Sequence, residues 1–312
     1  MPDSVHSCPV CESICSRVVL RGCIDRLHGC PGEWRLMECD QCGLISLSPW
    51  PTNEEIDSFY PSSYRPYRTA TSMLTNRVAS TLRRVMIAPY SLRFGRPGME
   101  SPPQGRGRLL DVGCGAGVFL GRMCDLGWDA TGIDISPVAL KAARYNAPRA
   151  RLHLATLDNV PFDGPYDLIV MQHVLEHVTH PAECLAKCFD LLAPSGVLCI
   201  AIPNIGSFEA NVFSRCWIGL DIPRHLVHFR ESVLTKLLER CGYEVEGIRP
   251  QLWPASLSES MLFLLPAPLR RRILGSRYAH ALYLLSMVPA AVSYLLGNRG
   301  VLEVRARKPT HA

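Results

Sequence analysis

Arg108-Leu109-Leu110-Asp111-Val112-Gly113-Cys114-Gly115-Ala116-Gly117-Val118-Phe119-Leu120 is the stretch whose reading decides the fold of this chain. Leu109 to Val112 suit a short strand covered on both faces, and Val118, Phe119 and Met123 then recur at helical spacing. Between strand and helix lie glycines at 113, 115 and 117. Without a β-carbon they accept positive φ and let a ligand come close to the backbone, while free N–H groups of the next helix face it. The spacing is Gly-x-Gly-x-Gly and not the Gly-x-Gly-x-x-Gly that packs a helix under a dinucleotide pyrophosphate, and Asp111 stands just before the first glycine.

Working outward, Ala130-Thr131-Gly132-Ile133-Asp134-Ile135-Ser136 reads as the neighbouring strand, ending in an acid about 20 residues beyond the glycines, where ribose hydroxyls are held in open α/β folds. A nucleotide-binding Rossmann domain of another kind is the alternative. Together the two motifs resemble the cofactor half of the class I S-adenosylmethionine-dependent methyltransferases. The resemblance implies that the glycine turn, with Asp111, Gly113, Gly115 and Gly117, faces the methionine moiety and that Asp134, with Ile135 beside it, takes the ribose.

The rest of a seven-stranded, mostly parallel α/β sheet follows in order. Pro137 to Asn146 reads as a helix, Arg151 to Leu154 as a third strand, Tyr166 to Met171 as a fourth, and Gly196 to Asn204 as a fifth. Tyr243 to Ile248 and Val301 to Arg307 complete the set. After the third strand the resemblance implies an adenine contact from the Leu157 amide and an acid; Thr156 occupies the usual acidic position, so Asp158 is the replacement. Gln172 and His173 follow the fourth strand and are placed close to the transferred methyl. His173 and His177 are four apart, which predicts one shared helix face, and His173-Val174-Leu175-Glu176-His177-Val178 resembles the ubiquinone-type O-methyltransferases.

Trp217 to Phe229 is expected to form the acceptor wall. Its Pro223-Arg224-His225-Leu226 run precedes a helix beginning near Glu231. His225 is the first choice for a general base and His177 the second, because imidazole titrates near neutral pH. The alternative is that His225 and His228 pin the loop to the sheet.

Composition fits this reading. The chain has 312 residues, 47% of them hydrophobic, which is ample for a core and excludes a disordered protein. A net charge of +5 is too mild to argue for nucleic acid. No positively charged start leads into an apolar run, so a cytoplasmic setting is expected and the fourteen cysteines read as reduced thiols or metal ligands. Cys8-Pro9-Val10-Cys11 and Cys39-Asp40-Gln41-Cys42 can set four thiolates at the corners of a tetrahedron, as structural zinc requires. Cys15, Cys23 and Cys30 stand between them as competing ligands, and a disulfide pair or a redox Cys-x-x-Cys are the rival readings.

Cys42-Gly43-Leu44-Ile45, followed by Pro49, Pro51, Glu54, Glu55, Phe59, Tyr60 and Tyr64, resembles a bacterial methyltransferase subgroup that includes sugar C-methyltransferases. In these a zinc-ribbon-like module and a tyrosine-rich helix precede the catalytic domain. The expected division is a module at 1–50, a basic helical linker at 51–104, and a methyltransferase domain at 105–312 carrying an apolar helical insertion at 251–300. Arg77, Arg83, Arg84 and Arg93 with Met73, Leu74, Val78 and Leu82 suggest an amphipathic basic helix in the linker. Residues 279–297 approach membrane-spanning length, but a last strand returning to the same sheet argues against crossing. Docking on the domain, dimerisation and a membrane interface all stay open for this insertion, and the sequence leaves the oligomeric state undecided. The expected reaction is methyl transfer from S-adenosylmethionine to an oxygen or carbon of a small-molecule, sugar or lipid-linked acceptor. A non-catalytic zinc-ribbon interaction protein and a peripheral membrane protein are the alternatives.

Overall fold

The computed structural model of the protein describes residues 6–60, 107–161, 164–251, 254–274, 300–310 and scattered positions between 281 and 292. The expected basic helix at 65–96 and the linker at 97–105 lie outside the described residues.

Two sheets organise the chain. The larger contains β5 (Arg108–Val112), β6 (Asp129–Asp134), β7 (Arg151–Leu154), β8 (Tyr166–Gln172), β9 (Leu192–Pro203), β11 (Glu244–Gln251) and β12 (Val301–Arg307), in the order β11-β12-β9-β8-β5-β6-β7. The first five of these strands pair in parallel, and β12 is antiparallel to both β9 and β11. Leu109, Leu110, Ile169, Met171, Leu198, Ile200 and Leu302 are wholly buried, as continuous apolar strands covered on both faces must be. Strand order reverses between β5 and β8, so a crevice opens beyond their carboxyl ends. The helices α2 (Val118–Asp125) and α3 (Pro137–Asn146) follow β5 and β6, with Pro137 in the first turn of α3 and the Ser136 hydroxyl accepting from the Ala139 N–H.

The smaller sheet is antiparallel, in the order β1 (His6–Ser7), β2 (Ile14–Cys23), β3 (Trp34–Cys39), β4 (Ile45–Ser48), β10 (Val227–His228). Its last strand comes from the stretch expected to form the acceptor wall: Val227 pairs with Ser46 and His228 with Ile45. The N-terminal segment and the part that carries the large sheet therefore share the smaller sheet. A short helix, α1 (Asn53–Ser58), starts in a capping box of Thr52 and Glu55.

Helices α4 (Pro181–Leu191), α5 (Phe208–Phe213) and α6 (Glu231–Arg240) fill the remaining connections. The insertion contributes α7 (Pro254–Phe263) and α8 (Ala267–Leu274). Ser256 and Ser260 of α7 are buried, where they take up the Trp217 ring N–H (3.2 Å) and the Ile218 N–H (3.0 Å). This stretch of the insertion docks on the domain. Among the described residues no helix is long and apolar enough to cross a membrane.

Candidate active site

The glycine turn adopts the conformation its composition demands. Gly113 and Gly117 have φ of +69° and +73°, and a β-carbon on Gly117 would lie 2.8 Å from Ala143 Cα. Gly113 and Cys114 donate their N–H groups to the Ile133 carbonyl (2.8 and 3.0 Å). Asp134 binds the glycine turn with one oxygen, accepting from the Gly115 N–H (2.9 Å), and its own strand end with the other, accepting from the Ser136 N–H (2.8 Å). Burial raises the Asp134 carboxyl in spite of these bonds. Asp111 is buried beneath the turn; loss of solvent, with the nearby Asp134 charge, pushes its carboxyl up to about 8. The Gly115–Asp134 bond was not legible in the spacing.

A cavity of about 900 Å³ opens over this turn. On one side it is lined by all the residues expected to meet the cofactor: Asp111, Gly113, Gly115 and Gly117, Asp134 and Ile135, Leu157 and Asp158, Gln172 and His173. Thr156 is occupied locally, its hydroxyl accepting from the Asp158 N–H (3.2 Å) and donating to Asn159 Oδ1 (3.3 Å), while Asp158 pairs with Lys187.

His173 and His177 do not share a helix face. His173 follows β8 at φ +53°, and only Leu175–His177 form a single 3₁₀ turn. The expected four-residue spacing fails because a left-handed residue breaks the period. His173 Nδ1 instead lies 3.3 Å from Glu176 Oε1. Glu176 is buried, which alone would raise its pKa; the His173 hydrogen bond and the His225, His173 and His177 charges outweigh that and hold it at about 2.

The opposite side of the cavity gathers Leu27, Ile56, Tyr60, His177, Asp221 and His225. His225 Nδ1 donates to the Gly219 carbonyl (2.8 Å), so in the neutral ring the lone pair is on Nε2, which lies 3.9 Å from Glu176 Oε1 and 4.0 Å from Asp221 Oδ2. His177 stacks edge-on against it with ring centroids 4.6 Å apart, and its Nδ1 lies 3.0 Å from both the Tyr60 hydroxyl and the Arg224 carbonyl. Burial first, then the His225 charge, depress His177 to about 4 and the wholly buried His228 to about 3. The two histidines of the Pro-Arg-His-Leu-Val-His run divide: His225 borders the cavity, and His228 is buried in the strand paired with β4.

In the N-terminal segment, Cys8, Cys11, Cys39 and Cys42 converge, every sulfur within 4.8 Å of the others. Cys8 Sγ lies 3.5 Å from Cys42 Sγ and Cys11 Sγ 3.4 Å from Cys39 Sγ, close to the ~3.8 Å edge of a tetrahedron of thiolates around zinc. The bond from Cys42, against the cost of burial, draws the Cys8 thiol down to about 5. Cys15 is wholly buried beside Ser46, and burial pushes it up to about 12; Cys23 and Cys30 lie at the far end of the hairpin. No disulfide links any of these cysteines.

A family model described as a methyltransferase domain matches residues 79–247. The chain belongs to this methyltransferase family. Over 155 residues it is 30% identical to a Mycolicibacterium smegmatis protein named "Probable S-adenosylmethionine-dependent methyltransferase", covering 48% of this chain and 57% of that one. Over 118 residues it is 36% identical to the ubiquinone biosynthesis O-methyltransferase of a Caulobacter species, covering 36% of this chain and 47% of the other. The chain thus spans about half the length of these curated relatives. Among solved structures it is similar in fold to the 1,6-didemethyltoxoflavin N1-methyltransferase of Burkholderia thailandensis, at 16% identity and a TM-score of 0.47, over 90% of this chain and 98% of that one. The residues that sequence reasoning missed are Tyr60, Glu176, Asp221 and the buried pair Asp25 and Arg224. An acid or a cation set inside an apolar run, as Arg224 is between Ile222 and Leu226, is the signal that something must neutralise it.

Proposed function

We propose that the protein transfers a methyl group from S-adenosylmethionine to an oxygen or carbon nucleophile of a small molecule, with sugars and lipid-linked compounds as the candidate acceptors. The observation that carries this is one cavity bordered on one side by the glycine turn with Asp134 and on the other by His225 with a free Nε2. S-adenosylmethionine, when bound, supplies an electrophilic sulfonium methyl. The chain's part is to hold and to orient. The Asp134 oxygens, each already taking one backbone N–H, retain lone pairs for ribose hydroxyls, and the Leu157 amide borders the region expected for adenine. Asp158 is committed to Lys187, so the amide carries more of that recognition than the acid. Orientation supplies most of the rate, since effective molarities of well-placed groups reach ~10⁵ M. His225 Nε2 takes the acceptor's proton; Glu176 and Asp221 nearby stabilise the imidazolium that forms. His177, depressed to about 4, is neutral near pH 7 and serves as a neighbour that orients.

The Cys8, Cys11, Cys39 and Cys42 set suits structural zinc: four thiolates, tetrahedral spacing and no open position. Metal analysis should give about one zinc per chain by the four-ligand argument, lost on Cys39→Ser with Cys42→Ser. We retain the division into a module at 1–50, a linker at 51–104 and a methyltransferase domain at 105–312, and a cytoplasmic setting with membrane contact through the 251–300 insertion as an addition. The test of function is incubation with methyl-labelled S-adenosylmethionine and a panel of phenols, sugars and lipid-linked sugars. Label should enter one acceptor class in wild type and fall at least ~10²-fold for His225→Ala. Cofactor binding without label in any class would favour the non-catalytic interaction protein.

A further inference from the structure

The cavity's two sides are built differently. The cofactor side is made within the large sheet, and the hydrogen bonds of its turn run between Gly113, Cys114, Gly115, Ile133 and Asp134. The other side is held from the N-terminal hairpin. Asp25, at the tip between β2 and β3, receives a fork from Arg224: Nη2 to Oδ1 and Nη1 to Oδ2, each 2.9 Å. Asp25 also accepts the N–H groups of Leu27 and His28 (2.9 Å each) and Cys30 (3.1 Å). Arg224 further donates to Asp221 Oδ1 (2.7 Å) and to the Phe59 carbonyl (3.2 Å). Both side chains are 0% exposed. Burial would raise the Asp25 carboxyl, but the Arg224 fork and the loop N–H groups hold it well below the usual carboxylate range.

One guanidinium thus joins three chain segments, and each segment sends a residue to the cavity: Leu27 from the hairpin tip, Tyr60 next to Phe59, and Asp221 and His225 on either side of Arg224. A second attachment lies just beyond, where Leu47 donates its N–H to the Leu226 carbonyl (2.9 Å) and β4 pairs with β10. Buried ions stripped of one partner are strongly destabilising, so this junction is complete or it opens.

We propose that the N-terminal hairpin is a working wall of the acceptor site and that Asp25 and Arg224 are positioning residues, holding His225, Tyr60 and Leu27 around one acceptor and leaving the glycine turn with Asp134 independent. The proposal rests on the methyltransferase reading above. It places the cysteine knuckle at the base of the hairpin, remote from the chemistry, and the hairpin tip beside it.

The test uses the full chain with Asp25→Asn and Arg224→Lys. Amide hydrogen exchange across 217–229, calorimetric titration with S-adenosylhomocysteine and the ring ¹⁵N spectrum of His225 are compared with wild type. Exchange in 221–229 should quicken at least tenfold, and the His225 Nδ1–H form should give way to a mixture of tautomers. Affinity for S-adenosylhomocysteine and exchange in 108–134 should stay within about threefold. Unchanged exchange and an unchanged His225 signal in both variants overturn the proposal. So does a parallel fall of loop protection and of ligand affinity in both, or failure of both to fold, because the two sides are then one unit. Should Asp25→Asn alone fail to fold, Arg224→Lys decides. If wild type binds no S-adenosylhomocysteine, the methyltransferase reading fails instead, and the exchange data still judge the junction.

Discussion

The two sides of the cavity teach different lessons about how a site is encoded. On the side expected to meet the cofactor, most residues stand at the carboxyl ends of the parallel strands, so their place follows from local pattern: Gly113 after β5, Asp134 at the end of β6, Gln172 at the end of β8. On the acceptor side Leu27, Tyr60, His177, Asp221 and His225 come from distant stretches, and only tertiary packing brings them together. The first should bind its ligand without the second, and the second should act on the chemistry without changing that binding.

Four outcomes would break or sharpen that contrast. The largest effect is expected at the acceptor side. His225→Ala should lower methyl transfer by ~10² to 10⁴-fold, the range for loss of a general base, with S-adenosylhomocysteine affinity unchanged. A parallel loss of affinity would dissolve the contrast.

Next comes Asp134→Ala, read by calorimetry. Losing a charged hydrogen-bonding partner should weaken S-adenosylhomocysteine by about tenfold or more, ~1.4 kcal/mol, and should leave exchange in 221–229 as it was.

The third outcome concerns pH. His177 and His228 sit near 4 and 3 in the folded chain against ordinary values near 6.5, so between those limits the unfolded chain binds protons that the folded one refuses. Their contribution is present above about pH 6.5 and is lost as pH falls through the folded values. Asp111 acts with the opposite sign over the same range, so the expected outcome is a difference: between about pH 7.5 and about pH 5 the melting temperature of wild type should fall by about 5 °C or more relative to that of a chain lacking both imidazoles, at 2–4 °C per kcal/mol. Asp111, raised to about 8, loses its stabilisation as pH rises through that same range, so His177→Gln with His228→Gln should leave its contribution alone and turn the curve toward greater stability at acid pH. A melting curve indifferent to both replacements would show that these histidines are not buried neutral.

The smallest effect is expected from Thr156→Asp. Placing the acid at the family's usual position should tighten S-adenosylhomocysteine by about threefold, ~0.6 kcal/mol, provided the new carboxylate still accepts from the Asp158 N–H.

How far the fold was legible follows from the same physics. All seven strands of the large sheet were readable because apolar runs bounded by turns persist through any packing, and the bounds of β7 and β12 match the expected ones residue for residue. The helix expected to carry His173 and His177 failed since periodicity cannot register a single left-handed residue at 173. The cysteine quartet was legible from spacing, and the competition from Cys15, Cys23 and Cys30 could be settled only in three dimensions. Least legible was the pairing of β4 with β10, whose two-residue partner carries no pattern of its own and joins residues about 180 positions apart. Asp25 and Arg224 were hidden for a related reason: a buried ion pair shows in sequence only as two unexplained charges.

The most direct test of the account is calorimetric titration of S-adenosylhomocysteine into the wild-type chain. Micromolar, one-to-one binding with an accompanying rise in melting temperature is the predicted result. No heat and no thermal stabilisation would contradict it and leave the glycine turn without the ligand that its geometry and family assign to it.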